Sequence, residues 1–268
     1  MSGSQDKSIK VFDLKTKQEY HHFKDAHDSE VFSVDISSHN KFIISGSGDK
    51  SIKIFHLLKK KQVHHFVDAH EDEVFGVHVT SNHKHIISGS RDKSIKIFDV
   101  KSKEQIYHFK SVREGFISSI AMSPDGGLIV AGYEDKSIKI FDMIHKKKIH
   151  HFKDIHTGPV TSVKISPNGK FIVSSSEDNS IKIIDLESRK VIHHFKDAHE
   201  DPIASVAISP GSNMIVSGSR DSSIKVFDVQ TKQLIHHFRD AHKSISLMSD
   251  LISHQYRHNI FCDNESRW

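Results

Sequence analysis

The chain has 268 residues, of which 36% are hydrophobic and 27% are charged, and its net charge is +4 at pH 7. No apolar run is long enough to span a bilayer, and the first residues lack the basic-then-apolar pattern of a secretory signal. Cys262 is the only cysteine, which excludes an intrachain disulfide. We therefore expect a soluble protein without a transmembrane segment, located in the reducing cytoplasm, with the nucleus as the alternative.

The chain repeats itself every 43 residues. A segment that reads Asp-x-Ser-Ile-Lys occurs six times, beginning at Asp6, Asp49, Asp92, Asp135, Asp178 and Asp221. A period of this length is typical of a repeat architecture, whose members usually present surface to partners. One closed repeat domain is therefore expected rather than two unrelated domains.

Residues 27–69 illustrate how one repeat is predicted to fold. Four short strands are expected over 31–37, 41–47, 51–55 and 62–66, where apolar and polar residues alternate. Turn residues separate them, and later copies carry Ser-Pro-Asp-Gly-Gly or a similar string at the first turn. Short strands with frequent turns predict an all-β fold. A four-stranded unit cannot bury both faces alone, but copies arranged around an axis can.

This pattern resembles the WD-repeat β-propeller family over about residues 2–242. The family's Gly-His pair stands here as Ala26-His27, Ala69-His70, Ile155-His156, Ala198-His199 and Ala241-His242, with Val112-Arg113 in the third copy. The family's Trp-Asp pair stands as Phe12-Asp13, Phe98-Asp99, Phe141-Asp142 and Phe227-Asp228, and departs further as Phe55-His56 and Ile184-Asp185. The resemblance implies a propeller of four-stranded antiparallel blades. Six copies imply six blades, the sixth shared between the two termini.

The repeats are divided unevenly along the chain. We expect residues 1–241 to form the propeller repeats and residues 242–268 to form a degenerate C-terminal tail, a candidate to complete the last blade. Asp250 supports this assignment because it keeps the repeat register of Asp35. The alternative is that the chain is the propeller segment of a larger multidomain protein.

The resemblance also implies a buried hydrogen-bond network in each blade. In the family, a His, an Asp, a Ser or Thr and the Trp form it. The pairs implied here are His27 with Asp49, His70 with Asp92, His156 with Asp178, and His199 with Asp221. Phe cannot donate a hydrogen bond, so each network would lose one member, worth about 1 kcal/mol. We interpret these residues as structural.

The sequence offers little that could perform catalysis or hold a metal. Most histidines occur as pairs in the fourth strands, at His21-His22, His64-His65, His150-His151, His193-His194 and His236-His237. Neighbouring residues of a strand point to opposite faces, so one pair cannot chelate one ion. Ser, His and Asp recur at equivalent places in every copy, and no nucleophile, phosphate-binding or zinc motif is present. We expect no enzymatic activity, no metal, no cofactor and no small-molecule substrate.

A lysine occupies the same place in every third strand. These residues are Lys10, Lys53, Lys96, Lys139, Lys182 and Lys225. We expect each stem to pack on the neighbouring blade while its ammonium group reaches water. A ring of cations that binds a ligand is the alternative.

Charged residues are sorted between the two faces of the implied propeller. The loops that lead into the first strands are acidic, at Asp28, Glu30, Glu71, Asp72, Glu73, Glu114, Glu200 and Asp201. The turns between third and fourth strands are basic, most of all at Lys59, Lys60, Lys61, Lys146, Lys147 and Lys148. Phe32, Phe75 and Phe116 near the acidic loops are candidate apolar anchors. Charge that only keeps the protein soluble is the other explanation.

We expect a non-catalytic scaffold or adaptor that binds other proteins in a complex. The acidic face would take basic or amphipathic segments, because sorted charge steers partners of opposite sign. The lysine-rich face would take an acidic protein. The alternative is a ribonucleoprotein-associated propeller that uses the lysine-rich face for RNA or another anionic surface.

Overall fold

The computed structural model describes residues 1–110 and 115–241, and 23 strands in these residues form six antiparallel sheets. The innermost strand of each sheet contacts that of the next sheet in chain order. The described residues contain no helix. The predicted all-β fold and six-bladed propeller are therefore confirmed.

Five blades have four strands each, which lie in sequence order from the central channel outward. The first strands are β4 (Val31–Ile36), β8 (Val74–Val79), β12 (Ile117–Met122), β16 (Val160–Ile165) and β20 (Ile203–Ile208). The second strands are β5 (Phe42–Ser47), β9 (His85–Ser90), β13 (Leu128–Tyr133), β17 (Phe171–Ser176) and β21 (Met214–Ser219). The third strands are β6 (Ile52–His56), β10 (Ser94–Asp99), β14 (Ile138–Asp142), β18 (Ile181–Asp185) and β22 (Ile224–Asp228). The outermost strands are β7 (Lys61–Phe66), β11 (Gln105–Lys110), β15 (Lys147–Phe152), β19 (Lys190–Phe195) and β23 (Leu234–Phe238).

The remaining sheet comes from the N-terminal residues. It consists of β1 (Ser2–Gly3), β2 (Ile9–Asp13) and β3 (Gln18–Phe23), which correspond to the second, third and fourth strands of the other blades. The prediction that residues 242–268 complete this blade lies outside the described residues. The division of the chain at residue 241 stays a prediction.

The aromatic-Asp pair of each repeat has a local role in ending the third strand. The Asp13 carboxylate accepts hydrogen bonds from the backbone N–H groups of Lys15 and Thr16, at 2.8 and 2.9 Å. The same bonds recur in later blades, and where the second repeat has His56, its Nδ1 accepts the N–H of Lys59 instead. The side chain therefore satisfies the turn amides that the strand leaves unpaired.

The phenylalanine that stands where the family has tryptophan packs between blades. Its ring lies 4.7 to 4.9 Å from a phenylalanine of the preceding blade's outermost strand. These pairs are Phe23–Phe55, Phe66–Phe98, Phe109–Phe141 and Phe195–Phe227. Tilted aromatic pairs at this separation add to the stabilisation from apolar burial. The blades thus share one apolar core at each interface.

Every innermost strand of the five four-stranded blades contains a β-bulge at its second residue. In the second blade, Val31 pairs with Ser47 and Ser33 pairs with Gly46, so Phe32 is the extra residue. The equivalent bulged residues are Phe75, Ser118, Thr161 and Ala204. A bulge re-aims its side chain relative to the pleat. Because of the bulge, these five side chains turn toward the channel.

Left-handed backbone at the turns provides a test of the fold. Lys103 in the turn between β10 and β11 is exposed and has a φ of 62°. A side chain in this region costs about 1–2 kcal/mol, whereas glycine costs about 0.5–1 kcal/mol through backbone freedom. We expect Lys103→Gly to stabilise the protein by about 0.5–1 kcal/mol in chemical denaturation.

The matched control is Lys101→Gly in the same turn, where φ is negative. It should destabilise the protein by about 0.5–1 kcal/mol, because only the loss of backbone freedom applies. Equal destabilisation by both variants would contradict the turn geometry.

Candidate functional site

Hydrogen bonds between loops define the two faces of the propeller. Gly48 N–H donates to the Glu30 carbonyl at 2.9 Å, which brings the turn between β5 and β6 against the loop that leads into β4. We call the surface formed by such loops and turns the entrance face. Leu57 N–H donates to the Lys41 carbonyl at 2.9 Å, which joins the other two sets of turns. We call that opposite surface, which carries Lys59–Lys61 and Lys146–Lys148, the lysine face.

A buried histidine fixes four loops of the entrance face, those that lead into β4, β8, β16 and β20. His27 is buried, its Nδ1 lies 2.8 Å from the Asp49 Oδ2, and its Nε2 lies 2.6 Å from the Ser45 hydroxyl. Ser51 completes the network by donating its hydroxyl to Asp49 at 2.6 Å. The carboxylate only accepts, so the bonding suits an imidazole that carries its proton on Nδ1 and accepts at Nε2.

The structure brings the other implied His and Asp residues together in the same way. The Nδ1–Oδ2 distances are 2.8 Å for His70–Asp92, 3.1 Å for His156–Asp178 and 2.8 Å for His199–Asp221. The sequence analysis did not assign the serines of the network. They are Ser45, Ser88, Ser174 and Ser217 on the second strands, and Ser51, Ser94, Ser180 and Ser223 at or just before the start of the third. Their recurrence at fixed positions in the repeat was the available signal.

Ionisation of the network follows from burial and hydrogen bonding. Burial would raise the pKa of Asp221, but hydrogen bonds from Ser223 and His199 outweigh burial and lower it to about 2. The pKa values of Asp49, Asp92 and Asp178 are also held well below the usual range, with the network hydrogen bonds outweighing burial. Burial lowers the pKa of His70 and of His199, because desolvation disfavours the cation.

Four of the six third-strand lysines do not direct their ammonium groups to water as expected, but donate them to backbone carbonyls. Lys53 is buried, and its ammonium group donates to the carbonyl of Ala26, the residue before the network histidine, at 2.9 Å. Equivalent bonds join Lys96 to Ala69, Lys182 to Ile155 and Lys225 to Ala198. The expectation failed because the loop folds back over the strand and offers a carbonyl that would otherwise stay unpaired. These lysines therefore hold the entrance loops.

The bulged phenylalanines meet at the mouth of the channel on the entrance face. The rings of Phe32 and Phe75 are half-buried and lie 4.9 Å apart. They line a cavity of about 260 Å³ whose opposite side carries the smaller bulged residues Ser118, Thr161 and Ala204. The mouth is therefore aromatic on one side and small and polar on the other.

A second cavity of about 380 Å³ adjoins this mouth. Its apolar lining includes Phe75, Phe116 and Pro159, and its rim carries Arg91 and two glutamates, Glu134 and Glu177. The Arg91 guanidinium lies 4.9 Å from the centre of the Phe116 ring and 3.2 Å from the Glu73 carboxylate. The sequence analysis named the phenylalanines but missed Arg91, Glu134 and Glu177, which lie on the turns between second and third strands.

The predicted acidic residues lie on the entrance face beside cations that the sequence analysis left out. Asp28, Glu71, Glu200 and Asp201 are exposed, while Glu30, Asp72 and Glu73 are half-buried, and Glu114 lies outside the described residues. Glu71 lies 3.7 Å from Lys110, and Glu177 lies 3.8 Å from Arg220. The entrance face therefore mixes both signs of charge, because its second set of turns is partly basic.

The six predicted lysines of the opposite face are all exposed. Lys59, Lys60 and Lys146 lie on the turns that precede β7 and β15, whereas Lys61, Lys147 and Lys148 lie at the beginning of those strands. Lys60 lies over the Tyr20 ring and Lys146 over the Tyr107 ring, at 4.8 and 5.0 Å. Each of these contacts joins a turn to the outermost strand of the preceding blade.

Between the two faces the channel narrows to a polar waist. Asp35, His78 and Lys164 line the cavities on both sides of it. The Asp35 carboxylate accepts the N–H of Val79 at 2.9 Å and lies 3.3 Å from His78 Nδ1. These residues occupy the same repeat position, where the other described blades carry alanine.

Residues 1–110 and 115–241 hold no group of three or more His, Cys, Asp or Glu side chains placed to bind a metal ion. They also hold no helix with the length and apolarity needed to cross a membrane.

The fold and its pinned loops define a repeat propeller with a uniform interior and a varied channel mouth. The WD domain, G-beta repeat family matches the chain five times, over residues 17–56, 60–99, 103–142, 146–185 and 189–228. The chain belongs to this family, which confirms the resemblance stated from sequence. No curated protein matches the chain at a significant level.

The network predicts a loss of stability at acid pH. The lowered pKa values of His70 and His199 mean that the unfolded chain binds protons first, so their contribution is full above about pH 6.5 and falls below it. The network aspartates contribute above about pH 4, and this contribution is lost as the pH falls through their folded pKa values. The free energy of unfolding should therefore decrease in two stages from pH 7 to pH 3.

Asp221→Asn tests the second stage. At pH 7 it should destabilise the protein by about 1.5–3 kcal/mol, because a charged acceptor of several hydrogen bonds is lost. The difference from the wild type should shrink below about pH 4, because the carboxylate of the unfolded wild-type chain is then protonated while the folded one, with its pKa of about 2, is still ionised. Asp197→Asn, at an exposed site, is the control. A difference that stays constant to pH 3 would contradict this account.

Proposed function

We propose that the chain is a non-catalytic protein-interaction platform whose partners dock at the entrance face. WD40 propellers generally mediate protein–protein interaction, and they are typically non-catalytic. The proposal rests on the observation that equivalent positions of the repeats carry very different residue types at the entrance mouth of the channel. Copies that share a folding pattern are free to vary at positions that serve a partner.

Three repeat positions at the entrance change in this way. The bulged position is Phe in two blades and small in three, at Phe32, Phe75, Ser118, Thr161 and Ala204. The residue before the first strand is Glu30, Glu73, Phe116, Pro159 or Pro202. The start of the turn after the second strand is Gly48, Arg91, Glu134, Glu177 or Arg220. The members of these sets that line the cavity between Phe75 and Phe116 are Phe75, Ser118, Thr161, Phe116, Pro159, Arg91, Glu134 and Glu177.

The chemistry of the cavity defines the partner segment. Its aromatic and proline lining would bury one large apolar side chain, as anchors of protein interfaces do. Glu134 and Glu177 at its rim are exposed and would attract a neighbouring Lys or Arg. We therefore propose a basic segment with an aromatic or aliphatic anchor as the occupant.

Four entrance loops, including those that lead into β8 and β16 beside the cavity, are held in place before binding. The buried histidine networks and the lysine-to-carbonyl bonds fix the loops that lead into β4, β8, β16 and β20. A rigid surface loses little conformational entropy on association. This preorganisation supports docking without large rearrangement.

The double variant Phe75→Thr, Phe116→Pro tests the proposal. Each new residue already occupies the equivalent position in β16 or just before it, so the fold is expected to tolerate the change. Peptides selected by display on the wild-type protein should be rich in Lys, Arg and aromatic residues. They should bind the variant at least about 30-fold more weakly, the loss expected for an apolar anchor worth about 2 kcal/mol.

Ile144→Ser is the matched control, because Ile144 is 77% exposed and lies on the lysine face. It should leave the affinity of the selected peptides unchanged. Affinity purification from cells should lose the same partners with the double variant and keep them with the control. Equal binding by all three proteins would show that the entrance cavity is not the docking site.

A further inference from the structure

The channel mouth on the lysine face is lined by a ring of apolar side chains. The last residue of each described innermost strand supplies one: Ile36, Val79, Met122, Ile165 and Ile208. All five are half-buried. They surround a cavity of about 440 Å³, which is in the range of sites that bind small molecules or single side chains. An apolar ring of this kind on a soluble domain marks an interaction site.

The ring belongs to the rigid part of the fold. Val79, Met122, Ile165 and Ile208 also pack against the cores between blades, so only one side of each faces the cavity. Three turn residues extend the apolar surface outward, namely Pro124, Pro167 and Pro210. Hydrogen bonds join neighbouring turns, from Asn168 N–H to Ser212 at 3.1 Å and between Ser38 and His83 at 2.9 Å. The mouth is thus formed before any ligand arrives.

Positive charge surrounds this mouth. Lys41, Lys84 and Lys170 are exposed on the turns that follow the ring. Farther out lie the exposed lysines 59–61 and 146–148. Acidic side chains also lie on this face, among them Asp125 beside Pro124 and Asp13 and Asp99 farther out, but their carboxylates bond to backbone N–H groups of their own turns. The field at the mouth therefore favours an anionic ligand.

From the ring and its charge, we propose that this mouth binds an acidic peptide segment that inserts one aromatic or aliphatic side chain into the cavity. The cavity accounts for the inserted side chain, and the lysines account for its acidic neighbours. RNA fits less well, because the described lining has no Phe, Tyr or Trp on which a base could stack. The site is separate from the entrance cavity, on the other side of the waist.

Fluorescence anisotropy with defined probes tests the proposal on the full-length protein. The first probe is a Glu- and Asp-rich peptide with one central phenylalanine, and the second has alanine in place of that phenylalanine. The third is a lysine-rich version of the first, and the fourth is an oligouridylate. The first probe should bind, its affinity should fall with salt, and the alanine probe should bind about 30-fold more weakly.

Two protein variants separate the two parts of the site. Met122→Ala removes most of one ring side chain and should weaken the first probe about tenfold. Lys84→Glu, Lys170→Glu changes only exposed residues and should weaken it at least about tenfold through charge repulsion. Lys24→Glu on the entrance face is the charge control and should have little effect. If Met122→Ala melts early, the lysine variant still decides the outcome.

Several results would overturn the proposal. Equal binding of the phenylalanine and alanine probes would mean that charge alone attracts the peptide. Unchanged binding by both variants would place the peptide elsewhere. Tighter binding of the oligouridylate, lost in the lysine variant, would make this face a nucleic-acid surface. The Phe75→Thr, Phe116→Pro protein should bind the first probe normally, so failure here and failure at the entrance face are distinguishable.

Discussion

One buried imidazole holds each of the entrance loops that lead into β4, β8, β16 and β20. The backbone N–H of His27 donates to the Lys7 carbonyl of the first blade at 3.2 Å, while its ring bonds Asp49 and Ser45 of the second. A single residue therefore joins the loop to the turns of two blades. The recurring lysine adds a bond to the carbonyl just before it. Because these bonds are buried, leaving one partner unpaired costs more than the bond contributes. The positions of these loops, including the two that lead into β8 and β16 beside the cavity between Phe75 and Phe116, depend on this arrangement.

The same network explains why the loss of tryptophan is tolerated. In the WD-repeat family the indole N–H of the tryptophan belongs to the network, and phenylalanine cannot replace it because its ring has no N–H. Here Asp49 and the Ser45 hydroxyl pair with the two ring nitrogens of His27, the Ser51 hydroxyl donates to Asp49, and phenylalanine leaves no donor unpaired. The ring instead packs against a second phenylalanine from the preceding blade, as in Phe23–Phe55. The interface between blades gains apolar contact where the family places a hydrogen bond. Apolar packing between blades therefore supplies stabilisation that the family obtains from a hydrogen bond in the network.

Much of the fold could be predicted from the sequence, because a strict 43-residue period fixes both strand order and blade count. The strands over 31–37 and 62–66 were predicted to within a residue of their observed bounds. The site was harder to predict. Alternation of apolar and polar residues cannot reveal a bulge, since one extra residue changes the facing of Phe32 without changing the pattern around it. The Lys53 ammonium group donates to the carbonyl of Ala26, which is distant in sequence, so the sequence pattern could not predict this bond. The ion pair of Arg91 with Glu73 likewise depends on how two loops of the fold come together.

The polar waist of the channel decides whether binding at one mouth can affect binding at the other. Asp35 accepts an N–H from β8, and His78 on β8 lies 3.0 Å from the Ile120 carbonyl of β12, so three innermost strands are joined at this level. Coupling between two sites requires an element with two arrangements that each ligand favours differently. Cores shared between blades and hydrogen bonds across the waist leave little room for a second arrangement, because packed interiors do not deform continuously. A propeller of this kind is suited to hold two partners of opposite charge at once, each bound independently of the other. Its contribution to an assembly would then be to fix their relative position.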